Sequence, residues 1–153
     1  MSPPPSVPQV LEDQHALLGL RLAGLERAVQ AGALDDANDR VIGFSAHLAR
    51  YARTEELLLF PVYDQLAAQM SEPTIRMRRE HAGLRRLVGR LVKLIARRDA
   101  GGALIALDTL RSVLLLHGAK EAWVIYPQVA DALSPRMTDA LVRGLRTGIP
   151  LAT

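Results

Sequence analysis

Four long stretches of this 153-residue chain repeat apolar residues at steps of three and four, and at one level in each the stripe turns polar. That level holds His15, then Tyr51 with Glu55, then His81, then His117 with Glu121. Side chains four residues apart lie on one helical face about a turn from each other, so each of the two pairs can aim both polar groups at one point. Uncompensated carboxylates on a core face cost several kcal/mol or take up a proton, and two together are worse. A bound cation removes that penalty. The chain has no cysteine, which excludes disulfides, thiolate sites and thiol catalysis and leaves imidazole, carboxylate and phenolate as donors. Such a sulfur-free set, drawn from four facing helices, suits iron or manganese better than a closed structural zinc site.

The stripes themselves define the elements that must position these groups. Leu11, His15, Leu18, Leu22, Leu25 and Val29 predict a first long helix, and Ala37, Val41, Phe44, Leu48, Tyr51, Glu55 and Leu58 a second. Gly32 to Asp36 supplies the turn between them. The second helix is expected to end or kink near Phe60, because Pro61 disfavours helix at the residue before it. Adding 66 to the first stripe gives Met77, His81, Leu84, Val88, Leu91 and Ile95, and adding 66 to the second gives Ala103, Leu107, Leu110, Leu114, His117, Glu121 and Val124. The chain is an internal duplication of a helix pair. The duplication keeps the polar spacing as well: His15 to Tyr51 and His81 to His117 are both 36 residues, and His15 to Glu55 and His81 to Glu121 both 40. Ser134 and Pro135 open a last short helix to about Arg146. The expected fold is therefore all-α: an up-down-up-down four-helix bundle over residues 10–133, preceded by a flexible Pro-rich arm over 1–9 and followed by a short helix and tail over 134–153.

At these residues the chain resembles the hemerythrin-like, HHE-type non-haem diiron proteins. The matching text is Asp13-Gln14-His15, Tyr51-Ala52-Arg53-Thr54-Glu55, Glu80-His81 and His117-Gly118-Ala119-Lys120-Glu121, with Phe60-Pro61 and Tyr126-Pro127 at the ends of the paired helices. The resemblance spans Leu11 to Pro127. It implies two iron ions joined by an oxide or hydroxide, with His15 and Tyr51 serving one, His81 and His117 the other, and Glu55 and Glu121 bridging both. Tyr51 stands where the family pattern has histidine, which marks a branch with a tyrosine ligand. His47 lies one turn before Tyr51, but its repeat counterpart is Val113; a further ligand, a partner of Tyr51 and a proton shuttle all stay open for it.

A phenolate adds negative charge to the centre and favours the ferric state. That favours peroxide decomposition over reversible oxygen carriage, and some members of the resembled group are associated with catalase-like activity. The expected function is thus a diiron, catalase-like oxidoreductase in oxidative stress defence, with Tyr51 and His47 as catalytic candidates and hydrogen peroxide as substrate. A protein that binds or senses O2 or NO, and a metal-free structural bundle, are the competing readings. Net charge is only +3, and the arginines of the third helix read as a solvated face, so no nucleic-acid partner is expected. Apolar runs look shorter than the roughly 20 residues a membrane span needs, which points to a cytoplasmic protein without a membrane partner. Met77, Met137 and Trp123 read as packing residues.

Overall fold

The computed structural model describes residues 5–67 and 72–148. Helix α1 (Val7–Gln30) is capped by Ser6, whose hydroxyl accepts from the Gln9 amide, and it buries Val7 and Val10. It thus begins three residues before the expected start. Gly32, at φ 71, closes α1 in the left-handed conformation that frees the chain to reverse into α2 (Leu34–Thr54). The repeat places Arg98 at the same left-handed turn, at φ 59, before Asp99 caps the fourth long helix by accepting from Gly102.

The second long helix does not stop at Pro61. After Thr54 it widens into one π-helical stretch (Glu55–Leu59) and continues as α3 (Phe60–Leu66). Pro61 has no amide hydrogen to donate, and the wider turn lets Phe60 bond the Glu55 carbonyl five residues back instead. After α4 (Glu72–Ala96), the same device recurs: α5 (Ala100–Lys120) passes through a π stretch (Glu121–Ile125) into α6 (Tyr126–Val129), with Tyr126 bonding the Glu121 carbonyl ahead of Pro127. Each insertion shifts the buried stripe by one residue. Leu59 and Ile125 are buried where the simple repeat pointed to Leu58 and Val124. Trp123 is carried outward and is 84% exposed, so it is not the packing residue expected from its place in an apolar run. Met137 is also exposed.

Helices α1, α2, α4 and α5 pack as a ring in which α1 meets α2 and α5, and α4 meets α2 and α5. This is the up-down-up-down bundle, and among the described residues there is no strand. Its core is the repeat stripe: Leu11, Leu18, Leu25, Leu84, Leu91 and Leu107 are fully buried with Phe44 and Ile95. Ser134 caps α7 (Pro135–Thr147), which lays Leu141 and Leu145 against the first helix pair and accepts at the Leu145 carbonyl from Arg50. The expected tail beyond Gly148 lies outside the described residues. One correction concerns apolar length. The helical run Ala100–Val129 is long and apolar enough, by composition alone, to cross a membrane, with a mean hydropathy of 1.3 in its best window. Its inward face carries His117 and Glu121, and its outward face carries Ile105, Leu115 and Leu116. Apolar residues on both faces raise the average where a stripe count sees only one.

Candidate metal centre

Both π stretches begin at a glutamate, and both glutamates point into the bundle at the same depth. Glu55, His81, His117 and Glu121 are all buried, and they bring one ligand atom each within 4.8 Å of one another. His117 Nε2 lies 2.6 Å from Glu121 Oε1, His81 Nε2 lies 3.2 Å from Glu55 Oε2, and the two imidazole nitrogens are 3.0 Å apart. Despite those approaches, Glu55 Oε2 and Glu121 Oε1 have no well-aligned hydrogen-bond partner among the described residues. Inward-facing carboxylate lone pairs without a well-aligned donor are what a cation would satisfy.

The other oxygen of each carboxylate faces a different group. Tyr51 donates to Glu121 Oε2 at 2.7 Å, and Tyr126 lies 2.6 Å from that same atom and 3.0 Å from Glu55 Oε1. The two phenol oxygens are 2.5 Å apart. Each glutamate therefore spans from an imidazole pair to a phenol pair.

Outside the cluster, carboxylates hold the imidazoles in place. His81 Nδ1 donates to Glu56 at 2.7 Å, and Glu56 is also bridged to Arg85; His117 Nδ1 donates to Glu80 at 2.8 Å, and Glu80 is bridged to Lys120. With Nδ1 engaged, Nε2 of both rings is turned inward, the arrangement that fixes tautomer and orientation in metal-binding histidines. Phe60 stacks on His81 with ring centroids 5.6 Å apart.

The electrostatics are those of a site where protons stand in for a cation. Burial and then the nearby Glu121 push Glu55 up to about 8, while Glu121, despite its own burial, is held low by His117 and His81. Burial alone would depress His81, but the facing carboxylates of Glu121, Glu55 and Glu56 lift it to about 11, and His117 is raised by Glu121 in the same way. Burial, then the two glutamates, keep both phenols protonated far above the ordinary tyrosine range. Metal ligands must shed such protons, so loading is coupled to proton release and is opposed by acid.

Two residues expected at the site stand apart from it. His15 donates from Nε2 to the Leu114 carbonyl at 3.0 Å and meets the Tyr51 ring edge-on at 6.3 Å. It occupies a notch made by Gly118, where an added Cβ would sit 2.2 Å from His15 Nε2. Gly118→Ala should therefore push the His15 ring out of the notch and break its bond to Leu114, a cost of about 1 kcal/mol that the better helix propensity of Ala partly offsets. In a His15→Ala background that cost should shrink to about 0.5 kcal/mol or less, as urea melts of the single and double variants would read.

His47 is buried, with Nε2 bonded to Gln14 at 2.9 Å and Nδ1 without a partner among the described residues. Gln14 is the repeat counterpart of Glu80, so the Gln14–His47 pair mirrors Glu80–His117 with the imidazole moved back one turn. Desolvation, then Arg50 and Arg21, lower His47 to about 4. Above the unfolded value near 6.5 the ring is neutral in both states. As pH falls from there towards about 4, only the unfolded chain takes up the proton, so stability is lost across that window. His47→Gln should flatten the fall in urea midpoint between pH 7 and 4.5; an unchanged slope would assign the acid sensitivity elsewhere.

Tyr126 was missed by sequence reasoning. Its one signal was the hydroxyl that distinguishes it from its repeat counterpart Phe60. The widened turn that aims it inward left no mark beyond Pro127. Glu56 and Glu80 were legible only as polar neighbours of candidate ligands.

A four-helix bundle with paired carboxylates and histidines buried at one level defines a metal-binding helical bundle protein. The model of one family, the hemerythrin HHE cation-binding domain, matches residues 6–129, and the chain belongs to that family. Comparison with curated proteins and with solved structures gave no match.

Proposed function

We propose that this bundle holds a non-haem pair of iron ions and decomposes hydrogen peroxide. The observation that carries the reading is the division of each buried carboxylate: one oxygen faces an imidazole, His81 for Glu55 and His117 for Glu121, and the other faces a phenol, Tyr126 for Glu55 and both Tyr51 and Tyr126 for Glu121. His81 and His117 with Glu55 Oε2 and Glu121 Oε1 would hold one ion. Tyr51 with the remaining carboxylate oxygens would hold the other, and His15 is the imidazole that the family pattern offers to that second position. A phenolate donor adds negative charge and favours the ferric state, which suits turnover of peroxide better than reversible oxygen carriage. When bound, the iron pair supplies two-electron redox chemistry on a small oxygen species.

The chain supplies the enclosure and the orientation. Tyr51, Glu55, His81, His117 and Glu121 are all at most 1% exposed, so the packed bundle keeps large substrates away from the cluster. His15, half-buried between α1 and α5, is the most exposed of the candidate ligands. Glu56 and Glu80 keep the two inner imidazoles from rotating. The test is oxygen evolution from added peroxide, with an initial rate proportional to iron content across preparations of differing load. A reversible spectral change with O2 or NO, without turnover, would instead establish a binding or sensing protein.

A further inference from the structure

We propose that Tyr126 is, together with Tyr51, a phenol ligand of the second metal position, so that the centre divides into an imidazole half and a phenol half. This rests on the reading that a metal pair occupies the cluster. The phenol half consists of four oxygens: Tyr51 Oη, Tyr126 Oη, Glu55 Oε1 and Glu121 Oε2. Tyr126 Oη lies 2.5, 3.0 and 2.6 Å from the other three. Tyr51 Oη lies 2.7 Å from Glu121 Oε2. Oxygens sharing an edge of an octahedron with bonds of about 2.0–2.1 Å stand about 2.8–3.0 Å apart, so the set needs little movement to close on a cation once the phenol protons leave.

The duplication supports the same placement. Its counterpart Phe60 packs against His81, in the imidazole half. The repeat relation carries Tyr126 to the opposite half, where Tyr51 replaces the histidine found at 117. His15, the imidazole the family pattern would place there, is engaged with the Leu114 carbonyl. Tyr51 thus stands where the repeat has an imidazole, and Tyr126 joins it from the widened turn. An all-oxygen half is the harder of the two and binds the more highly charged ion, whereas the imidazole half accepts divalent metals more readily.

The experiment counts phenolates. Metal-free protein is titrated with gallium(III), a redox-inert trivalent ion, and the ultraviolet difference spectrum reads how many of its three tyrosines ionise. The same protein is then loaded with iron, and its phenolate-to-iron visible band is measured in Tyr51→Phe, Tyr126→Phe and the double variant, with helicity checked by circular dichroism. The expected result is two ionised phenols, a band of about half intensity in each single variant, and none in the double variant. Ionisation of a single phenol, or a band that keeps full intensity in Tyr126→Phe while Tyr51→Phe loses it, overturns the role of Tyr126 and leaves the proposed function standing. No ionised phenol and no visible band overturns both. The gallium count uses the unaltered chain, so it decides the matter even if a variant fails to fold.

Discussion

Glu121→Ala should empty both metal positions at once, lowering bound iron from about two per chain to well below one under the same chelator challenge. The reason is geometric. Glu121 Oε1 lies 2.6 Å from His117 Nε2, and Glu121 Oε2 lies 2.7 Å from Tyr51 and 2.6 Å from Tyr126. One side chain therefore donates to both halves of the site, and no other described group reaches across in its place except Glu55. His81→Ala, by contrast, removes a donor from the imidazole half alone, and should lose metal from that position first. Iron content by mass spectrometry, read together with helicity, distinguishes these outcomes. If Glu121→Ala sheds one ion and keeps the other tightly bound, the carboxylate does not span the two positions.

Stripping the metal should lower the melting temperature steeply, by roughly 8–16 °C. A ligand present at about 1,000 times its dissociation constant stabilises the folded state by about 4 kcal/mol, and a chain of this size melts about 2–4 °C lower for each kcal/mol lost. The metal-free core also retains its polar cluster: Glu55 is pushed up to about 8 and two buried carboxylate oxygens lack aligned partners. Adding back iron should restore the melting temperature in the parent chain but not in Glu121→Ala. A chelated protein that melts at the same temperature as the loaded one would mean that the cluster contributes nothing to the stability of the bundle.

The bundle was legible because a stripe of Leu, Val and Ile at steps of three and four leaves few alternatives, and because a shift of 66 residues reproduced it. The cluster of Glu55, His81, His117 and Glu121 was legible for a related reason: polar groups at one level of a core stripe have no cheap explanation except one another or a cation. What lay hidden depended on irregular backbone. Nothing in Glu55–Leu59 or Glu121–Ile125 announces a widened turn, yet that turn buries Leu59 and Ile125, turns Trp123 outward and brings Tyr126 to the carboxylates. The partnership of Gln14 with His47 was equally silent, since it joins a residue to a position displaced by a turn from its repeat counterpart. Long-range pairings such as Glu80–His117 and Glu56–His81 require the helix order and register, which periodicity alone does not supply.

The presence of a metal pair is tested most directly by the identity and amount of metal in the unaltered protein purified without added metal. About two irons per chain is the expected result. A folded, helical protein that neither retains iron nor takes it up would leave His15, His81 and His117 as core residues of a metal-free bundle and contradict the peroxide chemistry built on them.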